Sequence, residues 1–297
     1  MRRFLFILFL FFYLNPVNLF SIHSERWLSP SGTPIEVIYR AFQPGEIIIV
    51  SIKDNLRIRD AQLRFLGRKY TMGRDKARSQ FLAFIGIDLD LKPGSYMMKV
   101  FLQDSGGIWE TLEKEITVLS REYPEKKLWV DERYVTPPAG VRERIKREAE
   151  ILKSVYAIFT SQWLSQEKFI IPTSGETVEN FGERRIYNNK PRSSHGGVDI
   201  SSPAGTPVKA SNSGRVVLAS DLYFAGKTVI IDHGLGLFTL YCHFSKIKVK
   251  RGDLVDRGDV IGEVGATGRV TGPHLHWGVK IFGSRVDPFS LLSFTFE

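Results

Sequence analysis

A chain of 297 residues with 41 Lys and Arg against 32 Asp and Glu, for a formal net charge of +9, is long enough for two separate cores and ordinary in its globular composition. The basic balance suits long-range attraction to anionic polymers, but the cations are scattered among acids and accompany no recognition motif, so nucleic acid is not the expected partner. A single cysteine excludes an intramolecular disulfide, leaving packing and any bound metal to hold the fold.

In chain order, Met1-Arg2-Arg3 is followed by the apolar run Phe4 to Leu14 and by Asn15-Pro16, the layout of a secretory signal. The run is short of the ~20 apolar residues a helical span needs. Residues 1–23 therefore read as a signal peptide or an uncleaved N-terminal anchor, with export to the periplasm or cell envelope, or secretion, as the expectation. Any membrane contact would run through this segment alone.

Residues 24–120 read as a β-sandwich of immunoglobulin-like type. Strand-like runs at Ile47 to Ile52, Phe81 to Leu89, Tyr96 to Leu102 and Glu115 to Leu119 are separated by Pro44-Gly45, Pro93-Gly94 and Asp104-Ser-Gly-Gly107 turns. No site chemistry lies there. A spacer, a wall-targeting module and a cap over a catalytic groove are the roles open to it. Residues 121–168 form a connector with an amphipathic helix, in which Ile145, Ala149, Leu152, Tyr156, Phe159 and Trp163 recur at three- and four-residue steps. Residues 169–297 read as almost entirely β, with strands expected at Val208 to Ala210, Arg215 to Ala219, Thr228 to His233, Phe238 to His243, Val260 to Val264 and His274 to Lys280. A mainly antiparallel sheet with a metal at one open face follows. The predicted fold class is thus mainly β: N-terminal sandwich, helical connector, C-terminal antiparallel sheet.

Four of the six histidines fall in three short clusters: His195-Gly-Gly-Val-Asp199, Tyr241-Cys-His243 and His274-Leu-His276. Residues two apart on a strand share a face, so His274 and His276 converge while Leu275, Trp277 and Val279 turn into apolar packing. Gly196 and Gly197 argue against a helix between His195 and Asp199, and an extended chain also returns i and i+4 to one side. Two imidazoles and one carboxylate suit Zn²⁺, which in catalytic sites commonly takes three protein ligands and leaves the fourth position open. Neither an HExxH motif nor a GxSxG elbow is present.

HxGxD, then a strand ending in YxH, then GATGRVTGPHLHWGV resembles the lysostaphin-type zinc endopeptidases, which cut peptide cross-links of bacterial peptidoglycan. The resemblance runs from about Pro172 through FGERR (Phe181 to Arg185) and GTPVKA (Gly205 to Ala210) to Asp287-Pro288. Position by position it implies that His195, Asp199 and His276 bind one Zn²⁺ and that His243 and His274 serve catalysis. It also implies peptidoglycan as substrate, through either glycine-rich bridges or D-amino-acid cross-links, with other envelope proteins as further partners. Some members of that family have lost ligands and regulate other wall enzymes, so a non-catalytic regulator or scaffold is the rival reading. Every motif position here is filled. Cys242 stands where alanine is common and is expected to pack inertly in the core. Strand alternation puts Thr239, Tyr241 and His243 on one face, where Tyr241 could steady substrate or sit on a rim. His233 is expected to hydrogen-bond at a turn, and Arg251-Gly252-Asp253 to be turn chemistry rather than an adhesion signal.

Overall fold

The unbroken run Ile47-Ile-Ile-Val-Ser-Ile52 leaves no solvated face, and the fold uses both faces. In the computed structural model, which describes residues 21–53, 57–75, 78–165 and 168–295, this run forms the strand Ile47–Lys53. The signal or anchor expected over residues 1–23 lies outside the described residues except for its last three. Ile47–Lys53 is central in a five-stranded antiparallel sheet, ordered His23–Leu28, Pro34–Tyr39, Ile47–Lys53, Gln80–Gly86, Gly73–Asp75. Ile48, Val50 and Ile52, with Phe81, Ala83 and Ile85 beside them, face a second sheet of Arg68–Thr71, Ile58–Phe65, Gly94–Asp104 and Trp109–Val118. The two sheets close a sandwich around Trp27, Leu63, Met98, Val100 and Leu102.

The alternate positions Ile47, Ile49, Leu82 and Phe84 point the other way and pack on Phe169, Leu235, Leu237, Val279, Ile281 and Leu291 of the C-terminal half. A fully buried side chain of this kind contributes about 1.5–3 kcal/mol, so this shared core joins the two halves firmly. Beside it sits a buried ionic cluster. Glu46, 0% exposed, accepts from Arg40 at 2.9 and 2.7 Å, from Arg121 at 3.2 Å and from the Ser290 hydroxyl at 2.9 Å. Arg121 also reaches Asp287 at 3.1 Å, so sandwich, connector and C-terminal helix Pro288–Ser293 meet at one carboxylate.

The connector does more than span. Its strand Glu125–Leu128 adds in parallel to Arg184–Tyr187, which pairs antiparallel with Lys190–Ser194. Its helix runs Arg142–Tyr156 and lays Leu152, Val155 and Tyr156 on Val217, Leu218, Leu222, Ile230 and Phe238. The apolar stripe continues to Phe159 and Trp163, but the helix does not. Beyond Tyr156 the backbone bonds to a turn of the C-terminal sheet instead, Leu235 N–H to Thr160 O at 2.8 Å and Leu164 N–H to His233 O at 2.9 Å, and Trp163 packs on Phe84 with ring centroids 4.7 Å apart. Tertiary pairing overrides the helical period there. Among the described residues no helix is long and apolar enough to cross a membrane.

The C-terminal half is built on an antiparallel sheet ordered Glu176–Val178, Gly197–Ser201, Leu275–Ile281, Leu237–Phe244, Gly226–Asp232, Gly214–Leu222, Leu254–Val255, with Ser284–Val286 also pairing with Leu275–Ile281. One face carries Val198, Ile200, Val229, Ile231, Tyr241, Leu275 and Trp277 into a core completed by Val208, Ile261 and Val264 of a small second sheet. The expected strands appear with ends moved by a few residues.

Replacing Glu46 by Ala removes the shared acceptor and leaves Arg40 buried without its bidentate carboxylate. We expect a loss of about 3–5 kcal/mol in stability, measured by urea unfolding, the magnitude typical of breaking a buried pair.

Candidate metal centre and cleft

The central strands bring the three histidine clusters to one place. Asp199 lies directly opposite His276 across the Gly197–Ser201 and Leu275–Ile281 pair, and His195 stands just before the first of these strands. Gly197 lets them close up: a Cβ there would stand 2.4 Å from Trp277 O and 2.9 Å from His276 Cε1. His195 Nε2 is then 2.8 Å from His276 Nδ1 and 3.1 Å from Asp199 Oδ1, and His276 Nδ1 is 3.1 Å from the same oxygen. The three residues form a group able to hold a metal ion.

The donor chemistry supports a cation there. His195 Nδ1 lies 2.9 Å from the Asn180 carbonyl, which can only accept, so a neutral His195 carries its proton on Nδ1 and offers the Nε2 lone pair. That lone pair faces a carboxylate oxygen and a second imidazole nitrogen. Three donors at about 2.0–2.2 Å around a tetrahedral Zn²⁺ stand roughly 3.3 Å apart, close to the spacing found. Burial lowers the pKa of His276, keeping its imidazole neutral. Burial works against the charge of Asp199, but the imidazoles of His195 and His276 against it hold its carboxyl well below the usual range.

Two residues without an assigned role in the sequence reading hold this triangle. Asn180 accepts from His195 through its carbonyl, donates from Nδ2 to Asp199 Oδ2 at 3.0 Å and accepts the Asp199 backbone N–H through Oδ1 at 3.1 Å. Arg185 donates from Nη2 to Asp199 Oδ2 at 2.6 Å and from Nε to Glu183 at 3.2 Å. Oδ2 is thereby occupied, and Oδ1 is the oxygen that faces His195 and His276. The FGERR stretch contained Arg185, but nothing in its spacing announced the contact.

His274 and His243 flank the triangle. His274 Nε2 is 3.6 Å from Asp199 Oδ1, and the His243 ring centroid is 4.9 Å from that of His274 and 6.0 Å from that of His276. Each fixes its tautomer on a backbone carbonyl, His274 Nδ1 to Gly272 O and His243 Nδ1 to Thr267 O, both at 2.8 Å, so Nε2 is the free acceptor. Burial pushes the His243 pKa down to about 3, with the neighbouring imidazoles adding to it, and burial lowers His274 as well. Both are neutral bases at pH 7.

The alternation expected for Tyr241 and His243 fails. Tyr241 is fully buried in the core, its hydroxyl bonded to Ser211 N–H at 2.8 Å, Ser211 Oγ at 3.0 Å and Thr239 Oγ1 at 2.9 Å, so it neither steadies substrate nor sits on a rim. His243 would follow it inward, but its φ of +67° breaks the pleat and turns the ring to the metal side. Cys242 is buried, with its thiol pushed up to about 12 by burial, and is inert. His233 is buried beyond a strand end, bonded to Ser213 O at 2.8 Å and Thr239 Oγ1 at 2.7 Å. Gly252 turns with φ +99° and the Asp253 carboxylate accepts the Lys250 N–H, ordinary turn chemistry for Arg251-Gly252-Asp253.

A cleft of about 250 Å³ opens over Asp199, His243 and His274. Among the described residues none that lines it precedes Lys126, and the connector helps to wall it through Lys126, Leu128 and Val130.

Comparison with known proteins places this geometry. The family model "Peptidase family M23" matches residues 193–288, which contain all five candidate site residues. A crystal structure of a candidate M23 peptidase from Pseudomonas aeruginosa is 33% identical and superposes with a TM-score of 0.64 over 84% of this chain and 94% of that one, so the likeness extends into the front module. The peptidoglycan DD-endopeptidase ShyA of Vibrio cholerae is 41% identical over 122 residues, 41% of this chain and 28% of its own length. The DD-carboxypeptidase/endopeptidase Mpg of Neisseria meningitidis is 44% identical over 97 residues, 33% of this chain and 22% of its own. The matched stretch thus spans about a quarter of these two curated relatives. The chain belongs to peptidase family M23.

Proposed function

We propose that this protein is a zinc-dependent endopeptidase acting on peptide cross-links of bacterial peptidoglycan, outside the cytoplasm. The observation that carries the reading is the convergence of three potential ligand atoms, His195 Nε2, Asp199 Oδ1 and His276 Nδ1, next to the imidazoles of His243 and His274, each held through Nδ1, in an open cleft. A zinc ion held by His195, Asp199 and His276 would supply Lewis acidity toward water and toward the scissile carbonyl. The rest falls to the chain. His243 and His274, tautomerically fixed, accept a proton from the attacking water at Nε2 and return it to the leaving amine. Their lowered basicity keeps them unprotonated, and so able to accept, at neutral pH. Arg185 and Asn180 hold Asp199 so that one oxygen faces the site. Peptidoglycan as substrate is supported by the endopeptidase activities for which the Vibrio and Neisseria relatives are named. The rival, a non-catalytic regulator of another wall hydrolase, is disfavoured by the complete ligand and base set.

Three outcomes follow. Metal analysis of purified variants should find zinc lost in H195A, D199A and H276A and retained in H243A and H274A, while the last two lose about 10²- to 10⁴-fold in turnover; retention in all five would overturn the ligand set. Asn180→Ala should weaken zinc affinity about 10- to 100-fold in a chelator competition, the cost usual for a residue that orients a ligand. Digestion of purified sacculi should release cross-linked muropeptides as shorter products by mass spectrometry, and no release would favour the regulator.

A further inference from the structure

The cleft carries cationic side chains beyond the Arg185 that holds Asp199. Lys126, Arg185 and Arg269 line it, and Asp199 is its lining carboxylate, already engaged by imidazoles and by Arg185. Lys126 and Arg185 are register neighbours on paired strands and share Glu183, at 3.7 and 3.2 Å. Arg269 is held differently. Its guanidinium lies 4.5 Å from the centroid of the Tyr187 ring and 5.1 Å from that of Phe224, so the cation is seated against aromatic surfaces.

Its backbone is pinned as well. Arg269 N–H donates to Phe224 O at 2.8 Å, and Gly268, at φ +79°, lies so close to the 224–226 turn that a Cβ there would stand 2.4 Å from Gly226 N and 2.6 Å from Phe224 O. The same turn receives His243 N–H at Ala225 O, and the preceding Thr267 carbonyl fixes the His243 tautomer. Arg269 is therefore registered to the reacting groups through a short, rigid stretch of chain, and little side-chain freedom is left to lose on binding.

We infer that Arg269 is a specificity-determining residue that binds a free carboxylate on the substrate peptide, beside the scissile amide, with Lys126 adding to the attraction. The substrate class is then an anionic cross-linked peptide rather than a neutral one such as a run of glycines. The inference rests on the endopeptidase reading above, and its chemistry is shared by a backbone α-carboxylate and a side-chain carboxylate.

Synthetic branched peptides test it, one with a free α-carboxylate on the residue flanking the scissile amide, one with a free side-chain carboxylate there, and a counterpart in which both are carboxamides. Wild-type protein loaded with zinc should favour one carboxylate form over the carboxamide by about tenfold or more in kcat/KM, the scale of a charge-assisted hydrogen bond, and which arm gains identifies the source. R269Q should bring that ratio to within about twofold of one, and R269K should retain part of it. In wild type the preference should shrink as salt is raised, a measurement that needs no variant to fold. A wild type without preference, or an undiminished preference in R269Q, overturns the inference. If wild type cuts none of the peptides, it is the endopeptidase reading that fails; calorimetric binding of the same peptides to chelator-treated protein then decides the inference alone, which stands only if the carboxylate form binds more tightly and R269Q abolishes the difference.

Discussion

Three potential ligand atoms gathered at one point are the constraint around which the C-terminal half is organised. His195 Nε2, His276 Nδ1 and Asp199 Oδ1 stand 2.8 to 3.1 Å apart, and nothing in their own chemistry attracts them into that arrangement in deprotonated form. In a partly buried site their mutual repulsion is screened less than in water. The framework must hold them there. It does so with backbone and neutral or cationic partners: the Asn180 carbonyl and amide, the Arg185 guanidinium, and the ladder that sets Asp199 opposite His276.

Rigidity of the two central strands has a visible source. Leu275–Ile281 carries His276 near one end and Val279 and Ile281 toward the other; Leu237–Phe244 runs antiparallel, with Leu237 at the end opposite His243. From residue 276 to residue 281 a strand covers about 17 Å. The ends remote from the histidines are those clamped by Ile47, Ile49, Leu82 and Phe84 of the sandwich. The front module thus acts from behind the sheet, as a buttress, and the cleft stays open. The connector strand Glu125–Leu128, by contrast, reaches the cleft directly, so chain outside the matched family region shapes what the cleft accepts.

Much of this was legible in the sequence because the relevant rules are local. The i, i+2 spacing of His274 and His276 sets them on one face whatever the tertiary context, and the alternation of Tyr96, Met98, Val100 and Leu102 marks a half-buried strand in the same way, realised with Met98, Val100 and Leu102 in the sandwich core. What escaped was set by distance in the chain. The doubly buried Ile47–Lys53 strand could be read as a strand but not as a seam between two halves, because its second partner lies about 190 residues later. Asn180 acts partly through its carbonyl, and a carbonyl has no signature in residue type. The stripe through Phe159 and Trp163 misled because apolar spacing does not require helix: Phe159 stays exposed and stacks on Phe282, and Trp163 packs on Phe84 from non-helical chain.

His243 shows most sharply why alternation has a limit at a site. A non-glycine residue with positive φ costs on the order of 1–2 kcal/mol, and a regular strand would have sent this side chain into the core behind Tyr241. The left-handed turn lets the imidazole join His274 and His276 on the metal side. It is over-determined by what surrounds it: the backbone N–H bonds to Ala225 O at 3.0 Å and Nδ1 to Thr267 O at 2.8 Å, both on segments pinned by Gly226 and Gly268. The dense glycines around this loop are what makes so close an approach of backbone feasible. Local preference is therefore violated at the residue whose ring must leave the core to stand beside His274 and His276, and the violation is sustained by the rigid turn that also presents Arg269.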